Sequence, residues 1–183
     1  MTSILAILTA AFLLATSAWS GDINKNAGTS GFPFLKIDVG ARAVGMGGAF
    51  TGLADDESAL YYNPAGIALF ERPRLIAGYH SYVADMQAGF LGYIRPIGAN
   101  KAFGAYVSYL NYGDFTETDM DGNTLGEFGG SDLVFGLTGA YRPRYALSFG
   151  ATVKFIYEKL QEFSATGIAA DLGTRYSTTR ARN

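Results

Sequence analysis

The sequence predicts an all-β protein, a transmembrane antiparallel β-barrel with a short, partly helical N-terminal hatch. Aromatic residues form 14% of the chain and charged residues only 16%, against about a quarter charged in typical soluble domains. An apolar leader opens the chain, and after Pro73 apolar and polar residues alternate with a period of two. Export, low charge and strand periodicity together favour strands that cross an outer membrane.

Composition also limits the function. The 183 residues carry a net charge of −2 and no Cys, which argues against a nucleic-acid partner and excludes disulfides, thiol catalysis and thiolate metal sites. His80 is the only His, and we interpret it as a polar residue that faces the lumen. Because no nucleophile and base can be assembled around it, we predict no catalytic residues, no enzyme activity and no cofactor.

Residues 1–20 are predicted to be a signal peptide. Residues 4–15 are predominantly apolar, the length of a signal-peptide core and too short to span a bilayer. Small residues then offer cleavage after Ser20 or, as a second choice, after Ala18. The leader carries no Lys or Arg, although signal peptides usually begin with a positively charged region. The alternative interpretation of residues 1–20 is a buried helix of a soluble protein.

Residues 21–73 are predicted to form the hatch, a plug in or under the lumen. The stretch "GMGGAF" at 45–50 has the glycines of a phosphate loop, but no Gly-Lys-Ser/Thr follows it. We therefore interpret Gly45, Gly47 and Gly48 as positions of tight turning or close backbone contact.

The acidic triplet Asp55, Asp56 and Glu57 allows two interpretations. A divalent-cation site is conceivable, but adjacent side chains point in different directions, so we predict no metal site. The favoured interpretation is a short helix capped by Asp55 or Asp56 and ended by the turn at residues 63–66. The hatch motif then comprises Gly45, Gly47, Gly48, Asp55, Asp56, Asn63, Pro64, Ala65 and Gly66.

The clearest predicted strand is residues 145–158. Its odd-numbered residues are apolar or aromatic with Tyr at both ends, as expected of a surface anchored at two membrane interfaces. Its even-numbered residues are mostly small or polar and include Lys154. A Lys facing lipid would cost about 2–4 kcal/mol at mid-bilayer, so this face is predicted to point into the lumen.

Five further segments repeat the pattern and complete the predicted strand region, residues 74–176. They are 74–83, 86–95, 101–112, 132–142 and 166–176. In segment 86–95, Ala88, Phe90 and Ile94 are expected to form the apolar face. About ten residues, tilted, span roughly 23 Å, close to the apolar band of an outer-membrane barrel. The predicted lumen-facing charged residues are Lys154, Glu158, Asp171 and Arg175.

The connections are predicted to alternate in length. Residues 96–100 and 143–144 are short turns containing Pro, assigned to the periplasmic side, whereas residues 113–131 form a long, acidic outward loop. Short inner turns and long outer loops are typical of bacterial barrels. A soluble β-sandwich is the alternative, since alternation in a single strand is a weak signal.

Six strands do not close a barrel, because small barrels need about eight. Residues 177–183 are polar, with no strand pattern. We therefore expect an incomplete barrel, from a truncated product or a fragment of a longer one.

The stretch "GARAVGMGGAFTGLADDESALYYNPAGIA" at 40–68 resembles the N-terminal signature of the FadL-like outer-membrane barrels, most of all the PorV/PorQ branch. The likeness continues through residues 112–133 and 147–176. The resemblance implies an outer-membrane barrel of about fourteen strands with an N-terminal hatch, in contact with membrane lipid. For the PorV branch it implies a component of type IX protein secretion, with secretion-system proteins or exported cargo as partners. For the FadL branch, the alternative, it implies passive transport of hydrophobic compounds.

Overall fold

The computed structural model describes residues 31–82, 85–121 and 123–177, with Glu127 described by its backbone alone. The predicted signal peptide, residues 1–20, lies outside the described residues. So do residues 178–183 of the predicted polar tail. Ser177, the first residue of that tail, donates its backbone N–H to the Ala146 carbonyl at 2.8 Å.

Six strands form one antiparallel sheet in sequence order, each paired with its neighbours along the chain. This confirms the predicted all-β, antiparallel class. The strands are β1 (Arg74–Ser81), β2 (Gln87–Ile97), β3 (Lys101–Thr118), β4 (Thr124–Arg144), β5 (Leu147–Leu160) and β6 (Phe163–Tyr176).

The predicted loop at residues 113–131 is wrong. β3 and β4 continue into it and leave only residues 119–123 as the connection. Its polar composition suggested a loop, but a two-stranded ribbon can be polar on both sides because it need not bury either one. A ring pair, Phe115 and Phe128, with centroids 5.5 Å apart, packs across the ribbon. Beyond it, Asp119 accepts hydrogen bonds from the backbone of Asp121 and Asn123 in a tight turn.

The described part of the hatch, residues 31–73, lies on one face of the sheet. It contains a 3₁₀ helix (Pro33–Lys36), α1 (Ala41–Gly45), α2 (Ala59–Tyr62) and a second 3₁₀ helix (Pro64–Leu69). No helix among the described residues has both the length and the apolar character needed to cross a membrane. Side chains of the hatch and of β2 to β5 form one core, which includes Phe50, Leu60, Ile67, Phe90, Ile94, Tyr106, Val134 and Ile156.

The sheet has two distinct faces, which we call inner, against the hatch, and outer. In β5, Val153 and Phe155 on the outer face are 44% and 47% exposed, whereas Thr152 and Ile156 on the inner face are 1% and 4% exposed. The alternation read from residues 145–158 is therefore confirmed from Leu147 onward. Tyr145 and Ala146 form the turn before β5 instead of belonging to the strand, and residues 143–144, predicted to be that turn, belong to β4. Outer residues of β3, β4 and β6, such as Phe103, Leu133 and Leu172, continue the apolar surface.

In β2 the predicted apolar face is the inner one. Ala88, Phe90 and Ile94 are at most 8% exposed and pack on the hatch, while Leu91 and Tyr93 point outward at 53% and 45% exposure. Both faces of β2 are apolar, because the apolar core of the hatch lies over this strand. Apolar character alone therefore does not identify the outer face of β2.

Candidate functional site

The Asn-Pro-Ala turn of the hatch rests on two glycines of the wall. Gly150 of β5 and Gly173 of β6 are directly paired across the two strands. A side chain at Gly150 would collide with the backbone of Pro64 and Ala65, and one at Gly173 would collide with Asn63 Oδ1. The missing Cβ atoms thus allow the hatch backbone to approach the wall closely. We call this contact, with the polar groups around it, the hatch–wall junction.

Asn63 connects three parts of the molecule. Its Nδ2 donates to the Thr51 carbonyl at 2.9 Å and to the Thr174 carbonyl of β6 at 3.1 Å. Its Oδ1 accepts from the Ala65 N–H at 3.1 Å and so caps the second 3₁₀ helix. The side chain is 5% exposed, so replacing it would leave buried backbone groups without these bonds.

The prediction that the turn at residues 63–66 ends a short helix is confirmed, since α2 ends at Tyr62 with Asn63 as its C-cap. The expected chain reversal at Gly66 is wrong, because Pro64, Ala65 and Gly66 begin the 3₁₀ helix Pro64–Leu69, and all three are buried. Pro64 occupies the first helical position, where its missing N–H costs nothing. Gly66 has no positive φ; a Cβ there would collide with the Ala54 carbonyl and lie 2.8 Å from the Ala59 Cβ. Close packing, not a chain reversal, explains this glycine.

Two charged residues of the wall also contact the hatch. Arg175 of β6 donates from Nε to the Leu53 carbonyl at 2.8 Å. Lys154 of β5 forms an ion pair with Asp171 of β6, with Nζ 2.6 Å from Oδ2, and its Nζ lies 5.6 Å from the centre of the Tyr61 ring. The structure therefore brings three of the four predicted lumen-facing residues together at the hatch.

A polar cavity of about 420 Å³ opens at this junction. Its walls come from the hatch on one side and from β5 and β6 on the other, and they include the Lys154–Asp171 pair. The lining residues are Thr51, Tyr61, Tyr62, Asn63, Pro64, Lys154, Asp171, Leu172, Gly173 and Thr174.

Glu158, the fourth predicted lumen-facing residue, lies on the inner face away from this junction. It is half-buried and stands opposite Asp132 of β4. The Tyr112 hydroxyl donates to Asp132 Oδ2 at 2.6 Å. At this level the inner face of the sheet therefore carries two neighbouring carboxyl groups, Asp132 and Glu158, and the first accepts a hydrogen bond from Tyr112.

The acidic triplet does not form a cluster. Asp55 accepts from Arg42 at 2.5 Å. Asp56 accepts from the Ser58 backbone N–H at 2.9 Å just before α2, and its other oxygen lies 3.2 Å from Arg42. The prediction that Asp55 or Asp56 caps the helix is wrong, because Ser58 is the N-cap of α2 and no side chain caps it. Glu57 pairs with Arg74 of β1 at 3.5 Å. Among the described residues, no three His, Cys, Asp or Glu side chains are placed to hold a metal ion.

The three predicted glycines lie where α1 ends. Gly47 and Gly48 have φ of +64° and +75°, which other residues adopt with strain, and they reverse the chain after α1. A Cβ on Gly48 would also lie 3.0 Å from the Asp38 carboxylate. Gly45 is the last residue of α1, with open space around its Cα.

Two tyrosines of α2 hold the N-terminal part of the hatch. The Tyr62 hydroxyl donates to Asp38 at 2.9 Å and accepts from the Val39 N–H at 3.0 Å. Burial, followed by the hydrogen bond to Asp38, raises the pKa of Tyr62 to about 12. Tyr61 donates to the Leu35 carbonyl at 2.6 Å, and burial raises the pKa of its hydroxyl well above its usual value. Both hydroxyls therefore stay neutral and hydrogen-bonded at physiological pH.

Sequence reasoning missed Gly150, Gly173 and the two tyrosines. Gly150 and Gly173 each occupy an inward position of a strand, and glycine inside a strand signals close backbone approach. That signal was present in the sequence, but it does not tell which segment approaches. His80 lines a small inner pocket beside Asp38 and Val39, on the inner face of β1 as predicted.

The apolar outer face, the hatch seated on the inner face and the antiparallel order of strands define this chain as wall and hatch of an outer-membrane β-barrel. Its residues 8–182 match the profile described as "Uncharacterised protein family (UPF0164)". The chain belongs to this family.

Curated relatives fall into two groups. The chain is 29% identical over 182 residues to a UPF0164 protein of Treponema pallidum (strain Nichols), covering 92% of this chain and 42% of the relative. It is 28% identical over 197 residues to a long-chain fatty acid transport protein of Escherichia coli (strain K12), and 29% identical to one of Shigella flexneri, each covering 92% of this chain and 40% of the relative. The chain thus spans about two fifths of the length of these relatives.

These similarities confirm the resemblance to FadL-like proteins, and they support an outer-membrane location and a transporter-type barrel. The narrower resemblance to the PorV/PorQ branch stays a prediction. The Escherichia coli and Shigella flexneri relatives are named as long-chain fatty acid transport proteins.

Proposed function

We propose that this chain contributes part of the wall and the hatch of an outer-membrane transporter for hydrophobic molecules with long hydrocarbon chains. The observation that carries the proposal is the hatch–wall junction, where a plug is held to β5 and β6 by a few polar contacts beside an open cavity. Similarity to long-chain fatty acid transport proteins supports the substrate class.

Transport through such a wall needs the hatch to shift or to leave a gap. The Asn-Pro-Ala turn is held to the wall by close packing on Gly150 and Gly173 and by the hydrogen bond from Asn63 to the Thr174 carbonyl. Such a hydrogen bond is worth about 0.5–1.5 kcal/mol. The hatch near β2 and β3 is held differently, by the buried Leu60 over Gly92 and Gly104. We infer that the turn separates from β5 and β6 during transport, while Leu60 stays fixed over Gly92 and Gly104.

The first experiment measures uptake. The complete protein is produced in cells that lack their own fatty acid transporter, and entry of radiolabelled oleate is compared with entry of radiolabelled glycine. The proposal expects oleate uptake above that of cells with an empty vector and unchanged glycine uptake. Oleate uptake equal to the empty-vector level would overturn the substrate class.

The second experiment tests the moving hatch. These 183 residues contain no Cys, so within them the pair Asn63→Cys and Gly173→Cys can form one disulfide across the junction, and any Cys elsewhere in the complete protein is replaced by Ser. A Cβ on Gly173 would lie against the Asn63 side chain, which places the two sulfurs within reach of each other. Oxidation should block oleate uptake and reduction restore it, while each single variant should be insensitive to oxidant. Equal uptake in oxidised and reduced forms of a fully cross-linked protein would overturn hatch movement.

A second candidate function is a PorV-like role in protein secretion or surface attachment, with secretion-system proteins or exported cargo as partners. One observation favours it: β3 and β4 pair beyond Asp114 and Gly129, where neither β2 nor β5 accompanies them. This projecting hairpin exposes Met120 and Leu125 near its tip, and exposed apolar residues on a ribbon suit a protein partner. Deleting residues 115–128 should abolish co-purification of secretion components while leaving oleate uptake intact. Unchanged co-purification would contradict this role.

A further inference from the structure

The outer face carries a groove at the end of the sheet where the short turns lie. We call it the turn-end groove. It has a volume of about 640 Å³ and crosses β4, β5 and β6. Small residues form the floor of the groove: Gly139 of β4 is paired with Ala151 of β5, and Ala151 is paired with Leu172 of β6. A Cβ built on Gly139 would meet nothing within 4 Å.

Aromatic and aliphatic side chains border this floor. Tyr141, Phe149 and Leu172 line the groove and are 45%, 44% and 88% exposed. Its volume lies in the range of about 300–1,000 Å³ that small-molecule sites occupy. Its shape and lining suit a hydrocarbon chain lying against the wall.

Basic residues stand at the same end of the outer face. Lys101 of β3 lines the groove and is paired with Tyr141 of β4. Arg95 of β2 is the diagonal neighbour of Lys101 on the same face, because Arg95 pairs with Phe103. Arg144 lies at the following turn and is also exposed. Among the described residues, none of these three cations forms an ion pair with a carboxylate.

A second groove on the same face lies at the opposite end of the strands. The loop-end groove, of about 680 Å³, is lined by Leu133, Phe135, Phe155, Ile156, Tyr157, Thr166, Gly167 and Ile168. At that end of the outer face, the exposed Lys159 lines a polar pocket together with Asp114 of β3. The described cations next to the turn-end groove therefore have no carboxylate paired with them, whereas the lysine at the loop end shares a pocket with one.

We propose that the turn-end groove binds an anionic phospholipid, with one acyl chain over Gly139 and Ala151 and the headgroup phosphate at Lys101 and Arg95. Cations without a carboxylate partner next to an apolar groove match an amphiphile that has an anionic head and a hydrocarbon tail. The inference requires the outer face to contact lipid. It does not depend on which molecule the protein transports.

The test uses the complete protein purified in detergent, with native mass spectrometry as the readout. The probes are phosphatidylglycerol and phosphatidylcholine with identical acyl chains. We expect phosphatidylglycerol to be retained about tenfold better, and Lys101→Gln to lower its retention about fivefold. The matched control is Lys159→Gln, an exposed lysine at the other end of the outer face of β5, which should leave retention unchanged.

Filling the floor tests the acyl-chain part. Ala151→Leu should lower retention of both lipids, and Thr166→Leu, which fills the loop-end groove, should not. Gly139→Leu serves as a second filling variant, and the β-sheet circular dichroism of each variant must match that of the unmodified protein. Equal retention of the two lipids, equal effects of Lys101→Gln and Lys159→Gln, or undiminished retention in both filled variants would each overturn the proposal.

Discussion

The Asn63 side chain donates a hydrogen bond to the Thr174 backbone carbonyl at 3.1 Å, across 111 positions of sequence. A small polar side chain in a tight turn thereby connects the hatch to the backbone of β6. Since the acceptor is a main-chain oxygen, substitution of Thr174 itself would not remove the bond. The properties of this contact can be tested only from the Asn63 side.

Asn63→Ala should loosen the hatch. It removes two donor contacts and one acceptor contact from a side chain that is 5% exposed, a loss of about 1–3 kcal/mol in local stability. Hydrogen exchange at residues 64–69 should speed up accordingly, with exchange in β3 unchanged. Asn63→Asp keeps the acceptor for Ala65 but loses both donors, so it should behave more like Ala than like Asn. Unchanged exchange in both variants would contradict the assigned role.

Gly150→Ala should displace the Asn-Pro-Ala turn. The added Cβ would collide with the backbone of Pro64 and Ala65, and such overpacking costs about 1–3 kcal/mol. The matched control is Gly139→Ala, one strand away on the outer face, where a Cβ meets nothing within 4 Å. Urea titration followed by accessibility of the hatch to protease should separate the two variants. Equal protease sensitivity would show that the hatch does not rest on Gly150.

Lys154→Met should weaken the contact between β5, β6 and the hatch. The Lys154 side chain is 11% exposed and that of Asp171 35%, so the pair is partly screened by solvent. Breaking it should cost about 1–3 kcal/mol, less than a fully buried pair. A double-mutant cycle with Asp171→Leu, measured by hydrogen exchange of α2, isolates the coupling between the two residues. Lys159→Met, with an exposed side chain, should stay within about 0.5 kcal/mol of the unmodified protein.

Alkaline pH should release the N-terminal part of the hatch. The pKa of Tyr62 is raised from about 10 in the unfolded chain to about 12 in the folded protein, first by burial. A raised pKa means that the folded state holds the proton more tightly, so this stabilisation is complete below about pH 10 and is lost as the pH rises toward 12. The difference in tyrosinate absorbance between the unmodified protein and Tyr62→Phe should show the raised midpoint. A midpoint near 10 would contradict the burial of this hydroxyl.

The sequence predicted the sheet well because strand periodicity is a local property. In residues 145–158 a strictly alternating pattern coincided with one face on the hatch and one face outward, and the structure preserves it. In β2 the rule failed, because Phe90 and Ile94 had to cover the apolar hatch while Leu91 and Tyr93 covered the outer face. In the hairpin after Asn111 the alternation of apolar and polar residues was absent from the sequence, because neither side of a two-stranded ribbon has to be apolar.

The candidate site was only half predictable. The turn at Asn63 and Pro64 could be predicted because it depends only on neighbouring residues. The same holds for the tight turn at Gly47 and Gly48, which have positive φ. The place where that turn rests is not local, because Gly150 and Gly173 meet it only after two strands have paired. Sequence spacing also gave no means of pairing Asp55 with Arg42 rather than with a helix end.

The glycine pair under the hatch also imposes an order of events during biogenesis. Residues 63–65 emerge first, yet the surface that receives them exists only once β5 and β6 lie side by side. Contacts so distant in sequence form late, because closing the intervening chain costs entropy before any contact compensates it. Residues 63–65 are therefore made before any strand of the wall but are among the last to reach their final position. Until they do, the inner side of the partly assembled wall is not covered by the hatch.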